Sequence, residues 1–171
     1  MKKPAQRPDR LPRRLSDNNR RKLLESPEPG LIDGLLARAS YKGSPKHKAH
    51  PHLYGLPAFS GKRGDATLCD THSGFLPQHM ASIPEMLRRG IQAGLIGADG
   101  ETIWTISDTG WIYECRLTNP AQAEYHGYPV RGSEAIGELV YRRFASWADA
   151  KGSAADQAVA RQCKALYGFR L

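Results

Sequence analysis

The chain has 171 residues, with 25 Lys and Arg against 17 Asp and Glu, and a formal net charge of +8. A chain of this length suits one domain, because a single hydrophobic core usually serves roughly 100–200 residues. Its apolar runs are only a few residues long, which excludes a membrane-spanning helix, and no apolar segment follows the basic N-terminus, so we expect no secretory signal. Three scattered cysteines do not form a disulfide framework and fit a reducing compartment, which predicts a cytoplasmic protein.

The positive charge is concentrated in two segments. Residues 1–22 hold nine basic and two acidic residues, residues 35–64 hold six basic and no acidic residues, and the remainder is net acidic. Two basic segments on a mildly acidic body are typical of a protein that binds phosphates. The alternative interpretation is a solvated tail and a solvated loop. We expect a polyanion partner, with RNA as the first candidate.

The N-terminal part predicts a tail followed by a single domain. Residues 1–22 are basic and rich in proline, so we expect a flexible tail, with residues 23–171 forming one α+β domain. Ser16 or Asp17 is a candidate cap for a short helix through Leu24. The stripe of Leu31, Ile32, Leu35 and Leu36 then predicts an amphipathic helix that ends near Ser40.

Residues 41–78 show no periodicity and are interrupted by many glycines and prolines, so they predict a long loop. Loops longer than about 12–15 residues in a compact domain are usually functional or disordered. A helix follows, in which Ser82 is the expected cap and Gly97 the expected stop. Its apolar residues recur every four positions, and this spacing places Arg88 and Arg89 on the outward face.

The second half of the chain predicts a small antiparallel sheet and two helices. The segments 103–106 and 111–117 flank Asp108-Thr109-Gly110, a strong hairpin signal, and a third strand is expected at 124–129. Trp111, Tyr113, Cys115 and Leu117 would share the core face of the second strand. Residues 133–171 predict two helices capped by Ser133 and Ser153, the first with Ile136, Leu139, Val140, Phe144 and Trp147 inward. The predicted fold is α+β, with a three-stranded or slightly larger sheet packed by helices.

The segment Tyr41-Lys42-Gly43-Ser44-Pro45-Lys46-His47-Lys48 carries the groups of a metal-independent phosphodiester cleavage site. An imidazole that titrates near neutral pH exchanges protons with the 2′-hydroxyl and the leaving oxygen, and lysines neutralise charge on the phosphoryl oxygens. A phosphate-binding loop without catalysis would use the same residues. We take His47 as the catalytic residue of the loop, and the expected substrate ligands are Tyr41, Lys42, Ser44, Lys46 and Lys48.

His126 is the one histidine expected on a strand, which makes it the better candidate for a general acid. The alternative is a histidine that is only hydrogen-bonded at a sheet edge. On the neighbouring strand, Glu114 is a candidate for orienting an imidazole and Arg116 for binding a phosphate, unless they form an ordinary solvated pair.

Cys69, His72 and His79 do not make a convincing zinc site. A closed structural site needs four ligands in paired short spacings, and only one Cys-x-x-His pair is present. We therefore predict no metal ligands and no cofactor.

The segment 41–48 and the run 104–129, which contains Gly110-Trp111-Ile112-Tyr113-Glu114-Cys115-Arg116 and Tyr125-His126-Gly127-Tyr128-Pro129, carry a resemblance. Over residues 38–130 the chain resembles the C-terminal effector modules of bacterial polymorphic toxins, whose order of helix and sheet is similar to the barnase, EndoU, colicin D and RelE group. The resemblance implies a metal-independent ribonuclease. It matches the positions His47, Lys48, Glu114, Arg116, His126 and Tyr128.

The chain also departs from these modules. We expect no delivery region upstream of the module, where residues 1–22 form a basic segment, and we expect two helices after the sheet. We therefore expect an intracellular toxin or defence effector that cleaves RNA such as tRNA, with a cognate antitoxin or immunity protein as its partner. The alternative is a non-catalytic protein of a phage or mobile element that binds nucleic acid or a protein partner.

Overall fold

The computed structural model of the protein describes residues 21–64 and 66–170. The predicted flexible tail, apart from its last two residues, and most of the helix predicted from Ser16 lie outside these residues. The described end of that helix is extended instead of helical. Leu24 donates its backbone N–H to Ile96 at 2.8 Å, and Ala98 donates to Lys22 at 2.8 Å. Residues 21–24 therefore form a strap along the chain that follows the third helix.

Five α-helices and four strands make up the described part of the chain. The helices are α1 Pro29–Arg38, α2 Cys69–His72, α3 Ile83–Gln92, α4 Ile136–Lys151 and α5 Ala154–Tyr167. The strands are β1 Ser40–Tyr41, β2 Thr102–Ile106, β3 Ile112–Asn119 and β4 Glu124–Pro129. The α+β class is confirmed. Helices α1 and α3, the hairpin, the third predicted strand and the two final helices lie where the patterns placed them, within a few residues. The short helix α2 lies in the segment that was predicted as a loop.

The sheet has four strands in the order β1-β4-β3-β2 and is mixed. Strands β2, β3 and β4 form the predicted antiparallel core, and β1 adds to β4 in parallel, with Tyr41 paired to Tyr125. A strand of two residues has no alternation to detect, which explains why it was not predicted. Because β1 pairs only with Glu124 and Tyr125, the rest of the β4 edge is open to the loop that follows.

The hairpin turn depends on Gly110, whose φ is +88°. A Cβ at this position would lie 2.8 Å from the main-chain carbon of Gln162, so the turn also needs glycine to let α5 approach.

Both faces of the hairpin are covered by helices. Helix α3 packs on one face, and α4 and α5 pack on the other. The core is therefore double-sided, whereas the sequence indicated one core face.

Two predictions about helix faces are wrong. Arg89 is not on the outward face: it is 6% exposed and bonds to Asp108 and Asp156, each at 3.0 Å. Asp108 lies at the hairpin tip and Asp156 lies on α5. The spacing of residues within α3 does not indicate that either carboxylate is next to Arg89. Leu139, expected inward, is 54% exposed. Helix α3 ends at Gln92, earlier than Gly97, because Gly94 adopts a φ of +70°.

The capping prediction for α5 is confirmed. The Ser153 hydroxyl accepts from the backbone N–H of Asp156, and the Asp156 carboxylate accepts from the backbone N–H of Ser153. Within residues 21–64 and 66–170, none of the helices is long and apolar enough to cross a membrane.

Candidate functional site

Strands β3 and β4 place four predicted site residues on one face of the sheet. In their register Arg116 lies opposite His126 and Glu114 lies opposite Tyr128. Directly opposed residues of an antiparallel pair point to the same face, so all four side chains lie together. We refer to these four residues as the strand half of the site. It lies on the face that α4 and α5 cover.

Glu114 is the centre of the strand half. It is completely buried, and each of its oxygens accepts several hydrogen bonds. Oε2 accepts from Arg21 Nε at 2.8 Å and from Trp104 Nε1 at 3.1 Å, and Oε1 accepts from Arg116 Nε at 2.9 Å and from the Tyr128 hydroxyl at 2.6 Å. Burial alone would raise the pKa of Glu114, but the charges of Arg21 and Arg116 and the Tyr128 hydrogen bond outweigh it and lower the pKa. The carboxylate is therefore ionised and fully occupied.

This geometry gives Glu114 a different role from the predicted one. Its hydrogen bonds within the described chain go to an indole, a phenol and two guanidinium groups, and none goes to an imidazole. Glu114 therefore fixes Tyr128 and Arg116 in place. The Tyr128 hydroxyl is engaged with Glu114, so Tyr128 contributes the face of its ring.

The loop contributes His47, which ends a short 3-10 turn at Pro45–His47. The ring of His47 stacks on Tyr128, with centroids 4.6 Å apart, and on His126, with centroids 5.5 Å apart and an interplanar angle of 22°. Two histidines separated by 79 positions are thus brought together. His47 Nδ1 lies 2.9 Å from the Thr67 carbonyl oxygen and donates to it, which leaves Nε2 as the nitrogen that exchanges a proton.

Both imidazoles are shifted towards the neutral form. Burial, the neighbouring His47 and the charge of Arg116 lower the pKa of His126 to about 4. Burial also lowers the pKa of His47, although the Thr67 carbonyl opposes this shift, and the charges of Lys46 and Lys48 add to it. Both rings are therefore neutral at pH 7 in the unliganded protein.

The turn that carries His47 is held by residues 63–70. Arg63 donates to the Lys48 carbonyl at 2.8 Å, and the Asp70 carboxylate accepts the backbone N–H groups of Ala49 and His50, each at 2.9 Å. We refer to residues 44–50 with these supports as the loop half of the site. Neither support is evident from the sequence, because Arg63 and Asp70 lie 15 and 21 positions from their partners Lys48 and Ala49, in a segment without periodicity.

The predicted phosphate ligands do not all lie beside the histidines. Lys42 and Lys46 are exposed, and Ser44 is partly buried. Tyr41 is in register with Tyr125, which points to the α3 face, so Tyr41 lies across the sheet from His126. Lys48 is only 1% exposed and faces the same side as Tyr41. The loop crosses the open edge of β4, so His47 and Lys48 enter opposite sides of the sheet.

Arg116 also departs from the simple phosphate ligand that was predicted. It bonds to Glu114 and lies 3.7 Å from Asp99, and 29% of its side chain is exposed. Arg21 bonds to Glu114 and to Glu134, each at 2.7 Å. The sequence did not mark Arg21 as part of the site. The strap that carries it is held by one isolated bridge and a few backbone hydrogen bonds, which leave no periodic pattern in the sequence.

Cys69, His72 and His79 each have a structural partner. His72 Nδ1 accepts from Leu68 N–H at 2.7 Å, His79 Nδ1 accepts from Leu76 N–H at 2.9 Å, and Cys69 is buried against the Gly127 carbonyl. Among the residues that the structure describes, no group of three or more His, Cys, Asp or Glu side chains is placed to hold a metal ion.

No family model, no curated protein and no solved structure matches the chain.

Proposed function

We propose that this protein is a metal-independent endoribonuclease in which His47 and His126 exchange protons with the substrate. The observation that carries the proposal is the convergence of the two imidazoles, 5.5 Å apart, beside the exposed Lys46. His47 comes from a basic loop. His126 comes from a strand, and Glu114 holds the adjacent Arg116 and Tyr128 by hydrogen bonds. Two proton-exchanging groups with a nearby cation are the requirements for cleavage at a 2′-hydroxyl.

In the proposed reaction the 2′-hydroxyl oxygen attacks the adjacent phosphorus, and the bond from phosphorus to the 5′-oxygen breaks. One imidazole removes the 2′-hydroxyl proton, and the other donates a proton to the leaving oxygen. The products are a 2′,3′-cyclic phosphate and a 5′-hydroxyl. Lys46 neutralises the charge that builds on the phosphoryl oxygens.

The surroundings of the two rings favour a particular division of roles. The Thr67 carbonyl stabilises protonated His47, whereas His126, with a pKa lowered to about 4, has no such partner at Nδ1 within the described part of the chain. When two groups differ in this way, the one with the lower pKa suits the base and the other suits the acid. His126 is then the base and His47 the acid, the reverse of the expectation from sequence.

Incubation with total RNA in the presence of EDTA tests the proposal. Cleavage to products that end in a 2′,3′-cyclic phosphate supports it, and full-length RNA after long incubation at high protein concentration overturns it. The value of kcat/KM, which reports the free protein, should have an acid limb near the His126 pKa of about 4 and an alkaline limb below 6.5.

One observation favours the alternative, a protein that binds RNA or a protein partner without cleaving it. His47 is only 7% exposed, and the two rings are nearly parallel, so a phosphate must bridge their outer edges. Expression in bacteria separates the two functions. A nuclease toxin or defence effector should arrest growth unless His126 is replaced or an antitoxin or immunity protein is present, whereas a binding protein should express freely.

A further inference from the structure

Lys48 ends in a small apolar chamber on the α3 side of the sheet, across from the histidine pair. The chamber has a volume of about 30 Å³, and its walls include Tyr41, Cys69, Phe75 and Tyr113. The Lys48 ammonium is buried there, and the hydrogen bonds within the described residues include none from it, although the Cys69 thiol is close enough to interact with it. It lies 5.2 Å from the centroid of the Tyr54 ring and 5.6 Å from that of Phe75.

The walls supply no negative charge to balance Lys48. Burial raises the pKa of the Cys69 thiol, although Lys48 opposes the shift, and burial also raises the pKa of Tyr41 and of Tyr113, so all three groups are neutral. None of the ion pairs in residues 21–64 and 66–170 includes Lys48. The Asp70 carboxylate does not line the chamber, accepts the N–H groups of Ala49 and His50, and forms no ion pair with Lys48 among the described residues.

This arrangement leaves a charge without its counterion. Attraction to the faces of two aromatic rings recovers only part of the free energy that dehydration of an ammonium group costs. A buried charge is normally paired, and the cavity beside Lys48 has room for a small ion, since about 10–15 Å³ already holds one water molecule. A single ammonium in an apolar chamber suits one small monovalent anion better than a divalent one.

We propose that the Lys48 chamber is a binding site for a small monovalent anion of halide size. The anion pairs with the ammonium and fixes the residue that follows His47, so binding stabilises the folded protein. The site does not depend on the proposed ribonuclease activity, and its test uses no RNA.

Thermal unfolding of the full chain in sodium chloride or sodium bromide, compared with sodium gluconate at equal concentration, tests the proposal. At a halide concentration about 100 times the Kd, the wild-type Tm should exceed its gluconate value by roughly 5–10 °C. Lys48→Met should lose this difference, because methionine fills the chamber without a charge. Lys62→Met, which removes an exposed charge from the same basic segment, should keep it.

A direct measurement on the wild-type protein covers the case in which Lys48→Met does not fold. Crystals grown in sodium bromide should show an anomalous difference peak inside the chamber, within contact distance of Lys48 Nζ. An empty chamber in those crystals overturns the proposal. Equal halide effects on wild type and Lys48→Met would also overturn it, since they would reflect a general salt effect.

Discussion

The strand half and the loop half of the site are built by different means. In the strand half a fully buried carboxylate collects hydrogen bonds from four side chains, and a regular register sets which residues face one another. In the loop half His47 depends on a carbonyl, an arginine and an aspartate that all lie within residues 63–70. The difference indicates that the strands fix the position of His126, whereas the loop and its supports determine whether His47 lies beside it; in the proposed reaction both conditions must be met.

The largest expected effect tests whether the two halves act together. His47→Ala and His126→Ala should each lower kcat/KM on RNA by roughly 10²–10⁴-fold. The double variant should lose much less than the product of the two, because groups that act as a unit are not additive. The control is His52→Ala, which removes an exposed imidazole from the same loop and should change little.

A substrate with a good leaving group sharpens this test. A nucleoside 3′-(4-nitrophenyl phosphate) needs little proton donation, so the loss caused by His47→Ala should largely disappear on it, while the loss caused by His126→Ala persists. The opposite pattern would reverse the roles of acid and base. Equal losses on both substrates, with RNA binding also abolished, would contradict a catalytic pair.

The strand half could be predicted further than the loop half. Alternation in β3 and β4 put Glu114 and Arg116 on one face and identified His126 as a strand residue, because the period of a strand is local information. The charge partners of Glu114 were not predictable. Arg21 reaches it from a strap 93 positions away, and nothing local in either segment indicates that contact.

For the loop half, the sequence predicted which segment is important but not where its side chains lie. The sequence indicated that residues 41–48 matter, but it treated His47 and Lys48 as members of one basic patch. The structure separates them, because the loop crosses a sheet edge that is open only where the two-residue strand β1 ends. Burial of a lysine at 1% exposure contradicts the usual behaviour of that residue type, so composition could not suggest it.

The second prediction concerns the stability of the strand half. Glu114→Gln keeps the shape of the side chain but leaves Arg21 and Arg116 beside a neutral group, which should lower the free energy of unfolding by about 3 kcal/mol. Glu138→Gln is the control. Its pair with Arg142 on α4 is solvent-exposed and should be worth less than about 0.5 kcal/mol. Urea unfolding measures both, and equal small losses would show that the strand half is not anchored by its carboxylate.

The third prediction uses the pKa of His126. The folded protein has a pKa of about 4 at this residue, below the ordinary value of about 6.5 for an unfolded chain. As the pH falls from 6.5 to 4, the unfolded chain takes up a proton that folded His126 does not, so stability is lost over that window. Because the ring is partly exposed, we expect a loss of about 1–2 kcal/mol.

Comparison with a variant that does not titrate measures this effect. The decrease in the unfolding free energy between pH 7 and pH 4.5 should be smaller in His126→Gln than in the wild type. His47 adds a loss of the same sign, since its pKa is also lowered. An identical pH dependence in the two proteins would mean that the folded pKa of His126 is not depressed.

The smallest expected effect is in the loop half, at Asp70. Asp70→Asn replaces one of two acceptor oxygens with an NH₂ group that faces the N–H of Ala49 or His50, which should cost about 1 kcal/mol. Because the turn at His47 then opens more often, hydrogen exchange at these two amides should accelerate by roughly fivefold, whereas kcat/KM should fall by less than about twofold because the closed turn still predominates. The Trp104 indole N–H, which bonds to Glu114, should exchange as before. Asp149→Asn, on the exposed surface of α4, is the control and should change neither the exchange at these amides and the indole nor kcat/KM. If the indole exchanged faster as well, the two halves would open as one unit, and the distinction between a rigid strand half and a separately held loop half would be wrong.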